Sequence, residues 1–307
     1  MRNYVYGKLN NILKDFRREI DNTNNLCTLK ELDFSVEDRF PDYNNLAIQQ
    51  FYLLRYLFGY FSEYVVMYRE LLRSQFLKDK LKVCSIGCGC GIDLWALQYV
   101  CDEHIFGNSM ERYNGIDAVK WKYRDEFKGI LNVSYSDGNI ATKESFKHKD
   151  YNIFIFPKSI CEFTEKEFQR LKELIINSEF RSKKFVVMGA LRKSRFTQDE
   201  QRLNEIAEVF TQNQGYEITG GNFRIAKENY MDASHINSVV KDFNFPAYVR
   251  RYLKGLPRRC SNYRKNREFC YDNCKKIIGR NPLESMSQLA YKMIFLEKKD
   301  LWRPYFW

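Results

Sequence analysis

One segment constrains the fold of this chain more than any other: a short apolar run that leads directly into three alternating glycines. The run is Val83–Ile86, and the glycines are Gly87, Gly89 and Gly91. A helical pattern begins again near Leu94. Glycine is needed where a backbone turns sharply or where a ligand approaches the main chain closely. The segment therefore predicts a strand, a ligand-binding turn and a helix in direct succession.

Short apolar runs alternate with helix-length segments through the middle of the chain. The predicted strands are Val83–Ile86, Tyr113–Ile116, Leu131–Tyr135, Tyr151–Phe156, Lys184–Met188, Tyr216–Thr219 and Tyr291–Leu296, and helices are predicted over Glu165–Ile176 and Thr197–Thr211. Strands that alternate with helices are typical of βαβ units. The pattern therefore predicts an α/β fold built on a parallel sheet.

Two common nucleotide-binding motifs do not fit the glycine loop. The dinucleotide motif G-x-G-x-x-G needs glycine where the chain has Ile92, and the P-loop ending Gly-Lys-Ser/Thr is missing. The second predicted strand ends in Asp117, a position from which a carboxylate can accept hydrogen bonds from a ribose diol. The loop and this carboxylate together indicate a nucleoside-containing ligand.

This combination resembles the class I S-adenosylmethionine (SAM) dependent methyltransferases, over roughly residues 80–220 and the closing strand. The resemblance implies a doubly wound, mostly parallel seven-stranded sheet with SAM as cofactor. The glycines would face the methionine part, Asp117 the ribose, and Asp137 or Asn139 the adenine, with Trp121 beside it. The cofactor-binding residues implied in this way are Ser85, Gly87, Cys88, Gly89, Gly91, Asp117, Asp137 and Asn139.

In that superfamily the loop after the fourth strand faces the transferred methyl group. Here it contains Lys158, Ser159 and Glu162, which are the candidate catalytic or positioning residues. The loop lacks the acceptor-Pro-Pro-aromatic motif of enzymes that methylate amino groups of bases, and it lacks the cysteine pair of 5-methylcytosine RNA enzymes. An alternative interpretation is that Ser159 and Glu162 form a Ser-x-x-Glu capping box for the next helix.

The excess positive charge lies near the end of the chain. The protein carries 50 Lys and Arg against 39 Asp and Glu, a net charge of +11, and residues 241–307 alone carry +10. Between Arg250 and Arg280 basic side chains alternate with aromatic ones, a composition typical of nucleic-acid surfaces. The candidate nucleic-acid-binding residues are Arg250, Arg251, Arg258, Arg259, Arg264, Lys265 and Arg267. The alternatives are a solvated basic face and a contact with an acidic protein.

The same stretch contains three cysteines, Cys260, Cys270 and Cys274. They could hold zinc or an iron–sulfur cluster with a fourth ligand such as His235 or Cys27. Alternatively, Cys270 and Cys274 face the core from one helix. A core with such an insertion is also somewhat similar to methyltransferase-like proteins of mitochondrial small-ribosomal-subunit assembly, although their Cys-Pro-His and Cys-Pro elements are absent.

The predicted organisation has four parts: an N-terminal helical cap at 1–80, a SAM-binding core at 81–221, a basic insertion at 222–288 and a closing strand with an aromatic tail at 289–307. The cap helices are predicted at Tyr4–Ile20 and Tyr43–Leu77. The sequence shows no signal peptide and no membrane span, and its cysteines suit a reducing compartment, so we expect a cytoplasmic protein.

The first functional hypothesis is a SAM-dependent methyltransferase that acts on nucleic acid, with RNA ahead of DNA. The second is a small-molecule methyltransferase with a helical lid. The third is a non-catalytic scaffold that uses the SAM fold to bind RNA or protein.

Overall fold

A computed structural model describes residues 2–23, 26–33, 40–78, 80–103, 105, 107–124, 132–225, 245–265, 270, 277–283 and 290–299. These residues form a seven-stranded sheet in the order β3-β2-β1-β4-β5-β7-β6. The strands are β1 (Leu81–Ile86), β2 (Met110–Asp117), β3 (Asn132–Asp137), β4 (Ile153–Pro157), β5 (Lys184–Ala190), β6 (Tyr216–Ile225) and β7 (Ala290–Lys298).

The first five strands are parallel to one another, and β7 runs antiparallel to both β5 and β6. The prediction of a doubly wound, mostly parallel seven-stranded sheet is confirmed. All seven strands lie at the predicted places, and β6 continues to Ile225, past the predicted core limit at residue 221.

The helices of the described residues cover both faces of the sheet. They are α1 (Arg2–Thr23), α2 (Leu46–Arg73), α3 (Ile92–Asp102), α4 (Glu165–Ile176), α5 (Phe196–Asn213), α6 (Ala247–Gly255) and α7 (Ser261–Lys265). In β4 Ile153 and Ile155 belong to the core shared with α1–α3, whereas Phe154 and Phe156 belong to the core shared with α4 and α5. A central strand buried on both faces is continuously apolar, as observed here.

The N-terminal helices form the predicted cap over one face. The side chain of Asn45 begins α2 by accepting hydrogen bonds from the N–H groups of Ala47 and Ile48. Helix α2 is buried along most of its length and packs against α1 and α3. The Gln49 side chain of α2 also accepts the N–H of Lys122 at 3.1 Å, so the start of α2 reaches the segment after β2.

The described part of the insertion packs on this cap. The Phe245 ring meets Phe58 of α2 edge-on, with ring centroids 5.2 Å apart, and Tyr252 of α6 meets Phe16 of α1 at 6.3 Å. Further along, Gly59 of α2 leaves room for Leu283. None of the helices in the described ranges combines the length and the apolar surface that a bilayer span requires.

Candidate functional site

A cavity lies at the carboxyl ends of the central parallel strands, where ligands bind in open α/β sheets. Its lining comes from the glycine loop, from the turns after β2, β3 and β4, and from the cap. The lining residues include Gly87, Gly89, Asp117, Trp121, Asn139, Lys158, Ser159, Glu162, Arg192, Tyr43 and Tyr52. Core and cap therefore enclose the cavity together.

The glycine loop bends back toward β2 immediately after β1. The N–H of Gly87 donates to the carbonyl of Ile116 at 2.7 Å, and Gly87, Gly89 and Gly91 all have positive φ angles, of 73°, 57° and 85°. Residues with a side chain rarely adopt positive φ angles, whereas glycine does so readily. At Gly87 a Cβ atom would also lie 2.2 Å from Cβ of Ser159, so the loop after β4 packs directly on this glycine.

Asp117 lies at the end of β2, at the floor of the cavity. One of its oxygens accepts the N–H of Gly89 at 2.7 Å, and the other accepts the N–H of Val119 at 2.9 Å. Burial raises the pKa of this carboxyl, while the two backbone N–H groups and Arg124 act in the opposite direction. Each carboxylate oxygen keeps a lone pair for a further donor, as a ribose diol would provide.

The other candidates for cofactor binding divide into two groups. Gly87, Gly89 and Asn139 line the cavity together with Asp117, whereas Ser85, Cys88, Gly91 and Asp137 are not among its described lining residues. Ser85 is fully buried beside Asp93, and the Asp137 carboxylate pairs with Arg124. Of the two predicted adenine neighbours, the structure therefore brings Asn139 to the cavity.

The three candidates after β4 all line the cavity, and each contacts a different part of the protein. Lys158 pairs with Glu63 of the cap, Ser159 donates to the carbonyl of Ile86 at 2.5 Å, and Glu162 pairs with Arg192. The Ser159 hydroxyl makes no capping hydrogen bond, so the alternative capping-box interpretation is wrong for this pair. The box belongs instead to Thr164 and Glu167, which begin α4.

Glu63 and Arg192 are candidate functional residues that were missed from the sequence. Glu63 is 2% exposed, and its carboxylate lies 2.8 Å from the Lys158 ammonium. Burial raises the pKa of Glu63, and Lys158 opposes this rise. One signal was present: Glu63 is an acidic residue within the apolar stretch 51–67.

Aromatic rings of the cap cover the cavity beside Trp121. The Tyr43 ring lies 5.0 Å from the Trp121 ring, and the Tyr52 ring lies 5.6 Å from it, measured between centroids. The Trp121 ring also faces Gly89, where a Cβ atom would lie 3.7 Å from the indole. Trp121 therefore lines the cavity, and its place beside an adenine stays a prediction.

The basic insertion is described only in part. Arg251, Arg258, Arg259 and Arg264 are exposed and Arg250 is half-buried, whereas the Lys265 side chain and Arg267 lie outside the described residues. Arg259 approaches Asp21 at 3.6 Å, and its guanidinium lies 4.7 Å from the Tyr252 ring centroid. Two aromatic residues of the insertion, Phe245 and Tyr252, are buried against the cap and are not available to stack on bases.

The three-cysteine metal site stays a prediction. Cys260 and Cys270 are buried, and Cys274 lies outside the described residues, as does His235. Among the side chains that the structure describes, no three His, Cys, Asp or Glu residues come together in a group able to hold a metal ion.

Neither the protein-family models nor the curated proteins match this sequence. Among solved structures, the chain is similar to phosphoethanolamine N-methyltransferase 2 of Haemonchus contortus, with 13% identity, 76% of this chain covered and a TM-score of 0.36. The chain spans only 52% of that enzyme's chain. It is also similar to magnesium protoporphyrin IX methyltransferase of Synechocystis, with 15% identity, 55% of this chain and 74% of that chain covered, and a TM-score of 0.34.

Proposed function

We propose that the protein is a SAM-dependent methyltransferase. The observation that carries this proposal is the convergence of the glycine loop, Asp117 and Asn139 on one cavity at the carboxyl ends of β1, β2 and β3. The residues fit the cofactor. The glycine backbone can approach the methionine part, Asp117 has free lone pairs for the ribose hydroxyls, and Ile116 and Ile140 provide apolar lining for an adenine.

When bound, SAM supplies an electrophilic methyl group on its sulfonium. Methyl transfer then needs mainly an acceptor atom held in line with that methyl group. Lys158 and the Glu162–Arg192 pair line the cavity after β4 and β5, where they can orient an acceptor. Tyr43 and Tyr52 of the cap line the same space, where their rings can contact a bound acceptor.

For the acceptor, we propose RNA. Four exposed basic side chains support this proposal. Arg251 and Lys254 lie on α6, Arg258 lies in the turn that follows, and Arg264 lies on α7. Exposed cations attract phosphates through release of bound counterions, and unpaired RNA can present a base to an enclosed site.

A second candidate is a small-molecule acceptor. The observation that favours it is that Tyr43 and Tyr52 of the cap line the cavity, the position that a helical lid would need. The first candidate predicts that the methyl group is transferred to RNA, and the second predicts that it is transferred to a small molecule.

The test is to incubate the protein with radiolabelled SAM and cell extract, then to digest portions separately with RNase, DNase and protease. The proposal expects label in large molecules that RNase releases. Label in a small molecule that chromatography separates from unreacted SAM would favour the small-molecule candidate. A folded protein that transfers no label to any fraction would contradict methyltransferase activity. Asp117→Asn is the control with weakened SAM binding, and it should transfer less label at low SAM concentration.

A further inference from the structure

Lys158 combines two features that are costly for a lysine. Its backbone lies in the left-handed region, with φ 59°, and its side chain is only 11% exposed. Left-handed backbone is unfavourable for residues other than glycine, and burying a charge requires a well-placed partner. Strained and desolvated residues of this kind cluster at functional sites.

The partner of Lys158 comes from the cap. Its Nζ lies 2.8 Å from Oε2 of Glu63, 3.4 Å from the carbonyl oxygen of Leu191 and 5.1 Å from the centroid of the Tyr60 ring. An ammonium has three N–H donors. Because Lys158 also lines the cavity, it retains the capacity to donate to a bound molecule.

We propose that Glu63 is a positioning residue that holds the Lys158 ammonium at the end of the cavity where the acceptor binds. Lys158 then donates a hydrogen bond to an oxygen or nitrogen atom of the acceptor and orients it toward the methyl group. This inference rests on the proposed function and adds to it that helix α2 supplies part of the site. The site is complete only when α2 is docked on the core.

A second ion pair provides a matched control, because it also joins α2 to the core. Arg69 of α2 donates from Nε to Glu103 at 2.9 Å, and their side chains are 18% and 19% exposed. Neither residue is among the described residues that line the cavity. A variant of this second pair therefore weakens the attachment of α2 without changing the partner of Lys158.

The experiment compares full-length Glu63→Gln, Lys158→Met, the double variant and Glu103→Gln. Two quantities are measured: the initial rate of label transfer from saturating SAM into cell extract, and the affinity for S-adenosylhomocysteine by calorimetry. We expect Glu63→Gln and Lys158→Met each to lower the rate by about tenfold or more, with affinity changed by less than about twofold. Glu103→Gln should keep the rate within about twofold of wild type.

The double variant tests whether Glu63 acts through Lys158. Its rate should equal that of Lys158→Met, because residues that act as a unit are not additive. The inference would be overturned if Glu63→Gln transferred label as fast as Glu103→Gln. It would also be overturned if the rate losses of the two single variants multiplied in the double variant. A wild-type protein that transfers no label would instead overturn the proposed function, and this inference with it.

If Glu63→Gln does not fold, Lys158→Met decides the question. Methionine has a similar length and leaves the backbone at the same φ, while Glu63 can take up a proton because burial already raises its pKa. An unchanged transfer rate in folded Lys158→Met would then overturn the inference.

Discussion

Gly87 illustrates how a single residue couples two loops of the site. Replacing it with alanine introduces a Cβ atom 2.2 Å from Cβ of Ser159, at a φ of 73°. We expect Gly87→Ala to destabilise the fold by about 3 kcal/mol, from left-handed backbone and from overpacking together.

The matched control is Gly215→Ala. Gly215 has a similar φ of 69°, but nothing lies within 4 Å of its Cβ position, so only the backbone cost of about 1 kcal/mol applies. Urea unfolding measures both variants. Equal losses would show that the contact with Ser159 does not constrain the glycine loop.

Asp93, in the first turn of α3, predicts a pH dependence of stability. It is fully buried, and burial raises its pKa from 3.8 to about 6 although the Tyr113 hydroxyl donates to its carboxylate. In the unfolded chain Asp93 loses its proton near pH 3.8, whereas in the folded protein it keeps the proton up to about pH 6. The free energy of unfolding that Asp93 contributes is therefore fully present below pH 3.8 and is lost as pH rises through about 6.

Asp93→Asn should remove this dependence, since it does not titrate. Relative to that variant, the wild type should lose up to about 3 kcal/mol of unfolding free energy over the same pH range. The measurement is urea unfolding at several pH values. Parallel profiles for the two proteins would contradict the burial of a titrating Asp93 carboxyl.

Among the helices, α4 has a complete capping box. The Thr164 hydroxyl accepts the N–H of Glu167 at 3.3 Å, and the Glu167 carboxylate accepts the N–H of Thr164 at 2.7 Å. We expect Thr164→Ala to lower the unfolding free energy by about 1 kcal/mol. Thr197→Ala, at an exposed position of α5, should change it by less than about 0.5 kcal/mol. Thermal or urea unfolding that shows no difference between the two would contradict the cap.

This helix also shows where pattern alone is insufficient. Both 159–162 and 164–167 have a hydroxyl residue followed three positions later by glutamate. Which of the two forms the box depends on where the backbone turns into α4. The Ser159 hydroxyl instead donates to the carbonyl of Ile86, at the end of the neighbouring strand β1. Element positions were predictable from local periodicity, whereas this contact joins residues far apart in the sequence.

The same distinction applies to the whole molecule. The glycine loop and Asp117 were predictable because a parallel sheet places successive strand ends at one edge. The pairing of Glu63 with Lys158 was not, because it depends on how a separate helix docks on that edge. The burial of Tyr252 against the cap likewise follows from docking and not from its basic surroundings.

The proposed RNA surface on α6 and α7 predicts a specific salt dependence of binding. Replacing Arg251, Lys254, Arg258 and Arg264 with glutamine should weaken binding of a labelled single-stranded RNA and make its salt dependence shallower by about 0.7 for each phosphate that the protein no longer neutralises. The control removes the same charge from four exposed residues before β1 and β5, at the end of the sheet opposite the cavity. They are Lys78, Lys80, Arg181 and Lys183. Fluorescence anisotropy at several salt concentrations measures both, and equal effects would contradict an RNA surface on α6 and α7.

The central claim is that the cavity at the carboxyl ends of β1, β2 and β3 binds SAM. Titration calorimetry of SAM into wild type, Asp117→Asn and Asp137→Asn tests it most directly, because Asp117 lines the cavity and the Asp137 carboxylate pairs with Arg124. We expect one site in the wild type, affinity lower by about tenfold or more in Asp117→Asn, and little change in Asp137→Asn. No binding by folded wild-type protein, or equal affinity in Asp117→Asn, would contradict the claim.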